Sequence, residues 1–177
     1  MNNLIQNNKF PYFFIIFVNF ISHFFPFIRF SVSPDDYSFY YLDKGLLNFV
    51  YEHHRPLQYI WYEFQNYIID LDPLKGLLLV FFLTTLLNII VYNLINLITK
   101  DQKISLIIII IYILFIAKTE LYVGPVYSFI IISASLYFLS INYFLKFISS
   151  GKNFNFFLSF IFYFLGILTY EIGFFIP

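Results

Sequence analysis

Residues 74–98 read LKGLLLVFFLTTLLNIIVYNLINLI, 25 residues with one charge, Lys75, at the second position. A helix needs about 20 mainly apolar residues to cross a bilayer, so this stretch predicts a span from Leu74 to Ile98, closed by Lys100, Asp101 and Lys103. Downstream, a third span is expected from Ile104 through the run Leu106–Ile111, weakening at Ala117-Lys118 and reaching about Val123. Gly124-Pro125 then marks a turn. A fourth span is expected from Val126 to Leu145, with Lys146, Ser149, Ser150, Gly151 and Lys152 as a loop. A fifth is expected from Phe154 to the last residue. Upstream, Phe10–Phe30 predicts the first span, kinked or ended by Pro26. It is long enough to span, and no small-residue cleavage site follows it, which excludes a signal peptide. Residues 31–73 are the only long polar stretch.

Composition agrees. The chain has 177 residues, of which 60% are hydrophobic and 11% charged, against roughly 25% charged in soluble domains. A soluble domain of this size buries only about two-thirds of its extended surface, too little to hide such a sequence. The absence of cysteine excludes disulfides, thiolate metal sites and cysteine nucleophiles. A formal net charge of zero, ten basic against ten acidic residues, argues against a nucleic-acid surface. The expected fold class is all-α: a polytopic transmembrane bundle of about five spans, with the bilayer as its first partner and a first outer loop over residues 31–73.

Orientation rests on short loops near the spans. With Lys9 cytoplasmic, the cytoplasmic segments hold Lys9, Lys100, Lys103, Lys146 and Lys152, and Asp101 is their one acid. The opposite side holds Arg29, Lys44, Arg55, Lys75 and Lys118, mixed with the other nine acids. A cytoplasmic N-terminus follows, with the polar chemistry concentrated on the outer face.

The outer loop opens with Ser33-Pro34-Asp35-Asp36-Tyr37. One reading is a helix start: Ser as N-cap, Pro at the first position, acids in the first turn. The other is a reactive carboxylate pair, in which one Asp has a raised pKa and acts as general base, or both hold a divalent metal such as Mg or Mn. Beyond His53-His54-Arg55-Pro56, the residues Leu57, Ile60, Trp61, Phe64, Ile68 and Leu71 recur at helical spacing. Gln58, Glu63, Gln65, Asn66 and Asp70 fall largely on the other face. This predicts an amphipathic helix lying along the membrane surface, with Trp61 and the Tyr residues at headgroup level. Arg55 at its start suits phosphate binding, and His54 suits metal binding or proton transfer. Glu120, beside Lys118, reads as an interfacial ion pair or a cavity-lining acid. Glu171 reads as an interfacial or cavity-facing acid.

In order and topology these motifs resemble the N-terminal part of the GT-C superfamily of polytopic membrane glycosyltransferases, in their protein mannosyltransferase-like, aminoarabinose transferase-like and O-antigen glucosyltransferase-like forms. The motifs are Asp35-Asp36-Tyr37 after the first span, His54-Arg55-Pro56-Leu57 before a surface helix, and Thr169-Tyr170-Glu171 late in an outer-facing span. His54 stands where Gly is frequent in that family. The resemblance implies a bacterial inner-membrane protein that moves a sugar from a polyprenyl-phosphate donor to a lipid, glycan or protein acceptor. It implies that Asp35 or Asp36 is the base, that Arg55 steadies the donor phosphate, and that His54, Glu120, Tyr170 and Glu171 line the substrate cavity, with a metal optional.

The apolar ending Phe174-Phe175-Ile176-Pro177 leads to the expectation that residues 1–177 are the front of a larger bundle. Two other functions remain open from sequence: a transporter or flippase for lipid-linked sugars, which needs charged residues in the spans and a polar cavity, and a non-enzymatic assembly subunit.

Overall fold

The computed structural model describes residues 9–24, 55–69, 72–114 and 128–170. They form six helices and, among the described residues, no strand. These are α1 (Phe10–Phe24), α2 (Pro56–Ile69), α3 (Pro73–Thr99), α4 (Gln102–Leu114), α5 (Ser128–Ser150) and α6 (Asn153–Thr169). By length and composition two are long and apolar enough to cross a membrane, α3 over Leu74–Thr99 and α5; α1, α4 and α6 are shorter apolar helices.

Local chemistry sets the α3 boundaries. Asp72 accepts the Leu74 N–H at 2.9 Å, and Pro73 takes the first helical position, where its missing N–H costs nothing. Asp72-Pro73 carries the same cap-then-proline signature as Ser33-Pro34. At the other end Lys100 turns to φ 54° and its N–H closes on Asn96 O. Asp101 then starts α4 by accepting from the N–H groups of Lys103 and Ile104, at 2.8 and 3.2 Å.

α1 runs antiparallel to α3. Tyr12 meets Tyr92 and Asn93 near one end, Asn19 meets Thr84 and Thr85 midway, and His23 meets Leu77 O near the other. α4 folds back beside α3 and α1, α5 packs on α3, and α6 packs antiparallel on α5. Ile15, Val80, Leu87, Ile109, Ile113 and Ile131 are the centre of the apolar core. One end of the bundle therefore gathers Lys9, Lys100, Lys103, Lys146 and Lys152. The other holds Arg55, Asp72 and Lys75, with α2 lying across α6 and α3.

α2 turns Gln58, Tyr62, Gln65 and Ile69 to the bundle, the glutamines at 3% and 2% exposure, and Ile60, Phe64 and Ile68 outward. Gln65 meets the Ser128 hydroxyl of α5, while Gln58 donates to Tyr62 of its own helix. Two expectations need correction. The expected loop from Lys146 to Lys152 is only Gly151-Lys152. α5 continues to Ser150, with the hydroxyls of Ser149 and Ser150 donating back to Lys146 O, and Gly151 makes the turn at φ 66°. The last helix does not run on to Pro177; it ends at Thr169, and Tyr170 is extended at φ −162°, ψ 129°.

Candidate functional site

Of the residues singled out from sequence, Arg55 and Tyr170 are described, and they meet. The Arg55 guanidinium carbon lies 4.4 Å from the centre of the Tyr170 ring, a cation–π contact. Asp35, Asp36, His54, Glu120 and Glu171 lie outside the described residues, as does the acidic pair as a metal site. Among the described residues no three His, Asp or Glu come together as metal ligands.

Arg55 immediately precedes α2, and its carbonyl accepts the Tyr59 N–H. Its Nη1 also reaches Gln58 Oε1, at 3.4 Å. Gln58 in turn donates to the Tyr62 hydroxyl at 3.1 Å. One turn on, the Trp61 indole N–H donates to Ser128 Oγ at 2.7 Å, and the Ser128 hydroxyl donates to Gln65 Oε1 at 2.8 Å. Ser128 is the first residue of α5, so this relay fixes α2 to the start of that helix. A tertiary pair of aromatic edges, Tyr62–Phe129 and Phe129–Tyr170, closes the ring of contacts back to Arg55.

Tyr170 is positioned from below. The Tyr137 hydroxyl donates to Tyr170 O at 2.7 Å, and Ser133 Oγ reaches both Tyr170 O and Gly166 O at 3.3 Å. Gly166 O also accepts the Tyr170 N–H at 2.9 Å, so the side-chain bonds reinforce the end of α6 and satisfy Tyr170 O beyond it. Gly166 makes them reachable: a Cβ there would lie 2.7 Å from Tyr137 Cε1. The result is an arginine held by a π face and an amide at one end of the bundle. Stacking engages the face of a guanidinium, whereas hydrogen bonding to a planar anion runs in its plane, so the two are compatible.

Sequence reasoning missed the supports: Ser128, Gln58, Gln65, Tyr137 and Gly166. A signal was present in Gln58–Tyr62–Gln65, which share a helix face at i, i+4 and i+7, but periodicity alone does not say what that face meets. A second buried polar group lies at mid-bundle. Asn19 Nδ2 donates to Thr84 and Thr85 at 3.1 and 2.8 Å, and its Oδ1 accepts from Asn88 at 3.0 Å. Its members bond mainly to one another and join α1 to α3.

No protein-family model, curated protein or solved structure matches the chain.

Proposed function

We propose that the chain is a multi-pass membrane protein with a cytoplasmic N-terminus that takes part in moving a sugar from a polyprenyl-phosphate donor to a lipid, glycan or protein acceptor at the outer face. The observation that carries the reading is the 4.4 Å contact of Arg55 with Tyr170. Two residues distant in sequence, each chosen from its own short motif, share one site.

The membrane part is supported by the polarity of the bundle. Phe82, Phe154 and Phe160 are more than half exposed, while Asn19, Gln58, Thr84, Asn88, Ser133 and Ser140 are buried. That arrangement is costly in water and suits lipid, where polar side chains link helices. Gathering five lysines at the end opposite Arg55 matches the bias for lysine on the cytoplasmic side.

In the proposed reaction, Asp35 or Asp36 takes the proton of the acceptor hydroxyl, whose oxygen attacks the anomeric carbon. The bond from that carbon to the phosphate oxygen breaks, and polyprenyl phosphate leaves with the electron pair. Arg55, steadied by Tyr170 and Gln58, binds the phosphate as its charge grows.

The test uses Asp35→Asn and Asp36→Asn made separately in the full gene product, with transfer assayed in membranes from a labelled polyprenyl-phosphate sugar. Loss of transfer in at least one variant, on the order of 100-fold or more for a general base, is expected. Undiminished transfer in both at equal expression sinks the acid-pair mechanism.

A further inference from the structure

A groove runs between α3 and α5 at the lysine end, with a volume near 580 Å³. Its chemistry is graded along the helices. Towards mid-bundle it is lined by Ile90 and Leu139, next by the amides of Asn93, Asn96 and Asn142, and at the rim by Lys100 and Lys146. Asn142 is 5% exposed and makes no side-chain hydrogen bond among the described residues. It is a nearly buried amide whose opening is the groove. Tyr12 donates to Asn93 Oδ1 at 2.9 Å, which leaves the NH2 of that amide as its donor to a ligand. The Lys146 ammonium lies 4.9 Å from the Tyr143 ring centre, which holds it over the groove.

Lys100 adds an independent point. It occupies the left-handed region at φ 54° and is the only non-glycine residue to do so among the described residues. Helix ends with this geometry favour glycine. A lysine in that position carries a backbone penalty that its charge at the groove mouth would explain. The neighbouring carboxylate of Asp101 is engaged by the Lys103 and Ile104 N–H groups.

We propose that this groove binds the phosphate headgroup of an anionic phospholipid. The two lysines take the phosphate, the asparagine amides take the glycerol and ester oxygens, and the apolar end takes the first part of the acyl chains. Basic pockets between spans on the cytoplasmic side have this recognition chemistry. The inference rests on the membrane part of the proposed function and is independent of sugar transfer.

The test is lipid retention by the intact protein, purified in neutral detergent, delipidated and measured by native mass spectrometry and thermal stability. Phosphatidylglycerol should be retained and should raise the unfolding temperature. Phosphatidylcholine should do neither, and millimolar inorganic phosphate should give no comparable shift. Lys100→Gln with Lys146→Gln should weaken phosphatidylglycerol retention about thirtyfold. Lys152→Gln, outside the groove, should leave it unchanged. Lys100→Gly, whose backbone suits the turn, should fold well and still lose much of the retention. Equal retention of phosphatidylcholine, an equal shift from free phosphate, or an equal loss in Lys152→Gln each overturns the proposal. Carbonate extraction of cell membranes separates the two readings. A chain released by carbonate fails the membrane reading itself, whereas a chain that stays in the membrane without retaining phosphatidylglycerol fails only this inference.

Discussion

At the lysine end, the two turns that join helices are held by hydrogen bonds between residues two to six apart in sequence, such as Asp101 with Lys103 and Thr99 with Ser105. At the arginine end, α2 is held to α5 by bonds between residues 67 and 63 apart, from Trp61 and Gln65 to Ser128. Those two turns can form as soon as their own short segments fold. The arginine end exists only when α2, α5 and α6 have assembled. Charge follows the same division: the lysines are mostly exposed and project from helix ends, while Arg55 is half-buried against an aromatic ring. A ligand at the lysine end would meet ammonium groups on exposed side chains at helix ends. A ligand at the arginine end would meet a group already oriented.

The two glycines give the sharpest way to break this comparison. Gly166 is needed because Tyr137 packs against it, and Gly151 because its own backbone turns to φ 66°, with nothing within 4 Å of a Cβ placed there. Gly166→Val drives the Tyr137 ring away and breaks its bond to Tyr170 O, so a loss near the top of the usual overpacking range, about 3 kcal/mol, is expected. Gly151→Ala should cost about 1 kcal/mol, the local penalty of the left-handed conformation. Thermal unfolding in detergent measures both. Trp61, the single tryptophan of the chain, reports on the arginine end: its emission should change in Gly166→Val and stay constant in Gly151→Ala. Equal losses with constant emission in both would show that the approach of Tyr137 is not a constraint.

Exchanging one cation for another should also separate the ends. Arg55→Lys keeps the charge but gives up the guanidinium contact with the Tyr170 ring and the planar fork. A cation–π contact of this kind contributes about 1 kcal/mol, so sugar transfer should fall about fivefold. Lys100→Arg and Lys146→Arg should hold transfer within about twofold, because an exposed point charge tolerates the change. A loss at Lys146 as large as that at Arg55 would break the division between the ends.

This division also explains what could be read in advance. The extent of α3 was legible to within a residue, because its apolar run is long and Lys100-Asp101 closes it through bonds to its own neighbours. The meeting of Arg55 with Tyr170 was legible only as two motifs expected on one side, with no distance attached. The facing of α2 was not legible, because periodicity separates an apolar stripe from a polar one but does not say which stripe meets protein. Gln65 finds its partner in Ser128 of α5, and Ile60, Phe64 and Ile68 face out. The ends of α5 and α6 were missed for smaller reasons. Ser149 and Ser150 look like loop residues yet bond back to Lys146 O, and the break after Thr169 depends on Tyr137 and Ser133 from another helix.

The smallest expected effect tests the same distinction with one functional group in two settings. Ser128 and Ser150 are both serines at the ends of α5, and each hydroxyl bridges two groups or more. Ser128 is buried between the Trp61 N–H and Gln65 Oε1. Ser150 is exposed; it donates to Lys146 O at 2.6 Å and accepts from Asn155 Nδ2 at 3.2 Å. Ser128→Ala leaves a buried donor and a buried acceptor without partners, and should destabilise the protein by about 1 kcal/mol while shifting Trp61 emission. Ser150→Ala exposes groups that water can satisfy at once, and α5 still has the glycine turn to stop it. Its effect should stay within about 0.5 kcal/mol, with Trp61 emission unchanged. If Ser150→Ala proves as costly as Ser128→Ala, hydrogen bonds at the lysine end are not replaceable by water, and that end is as strongly organised as the other.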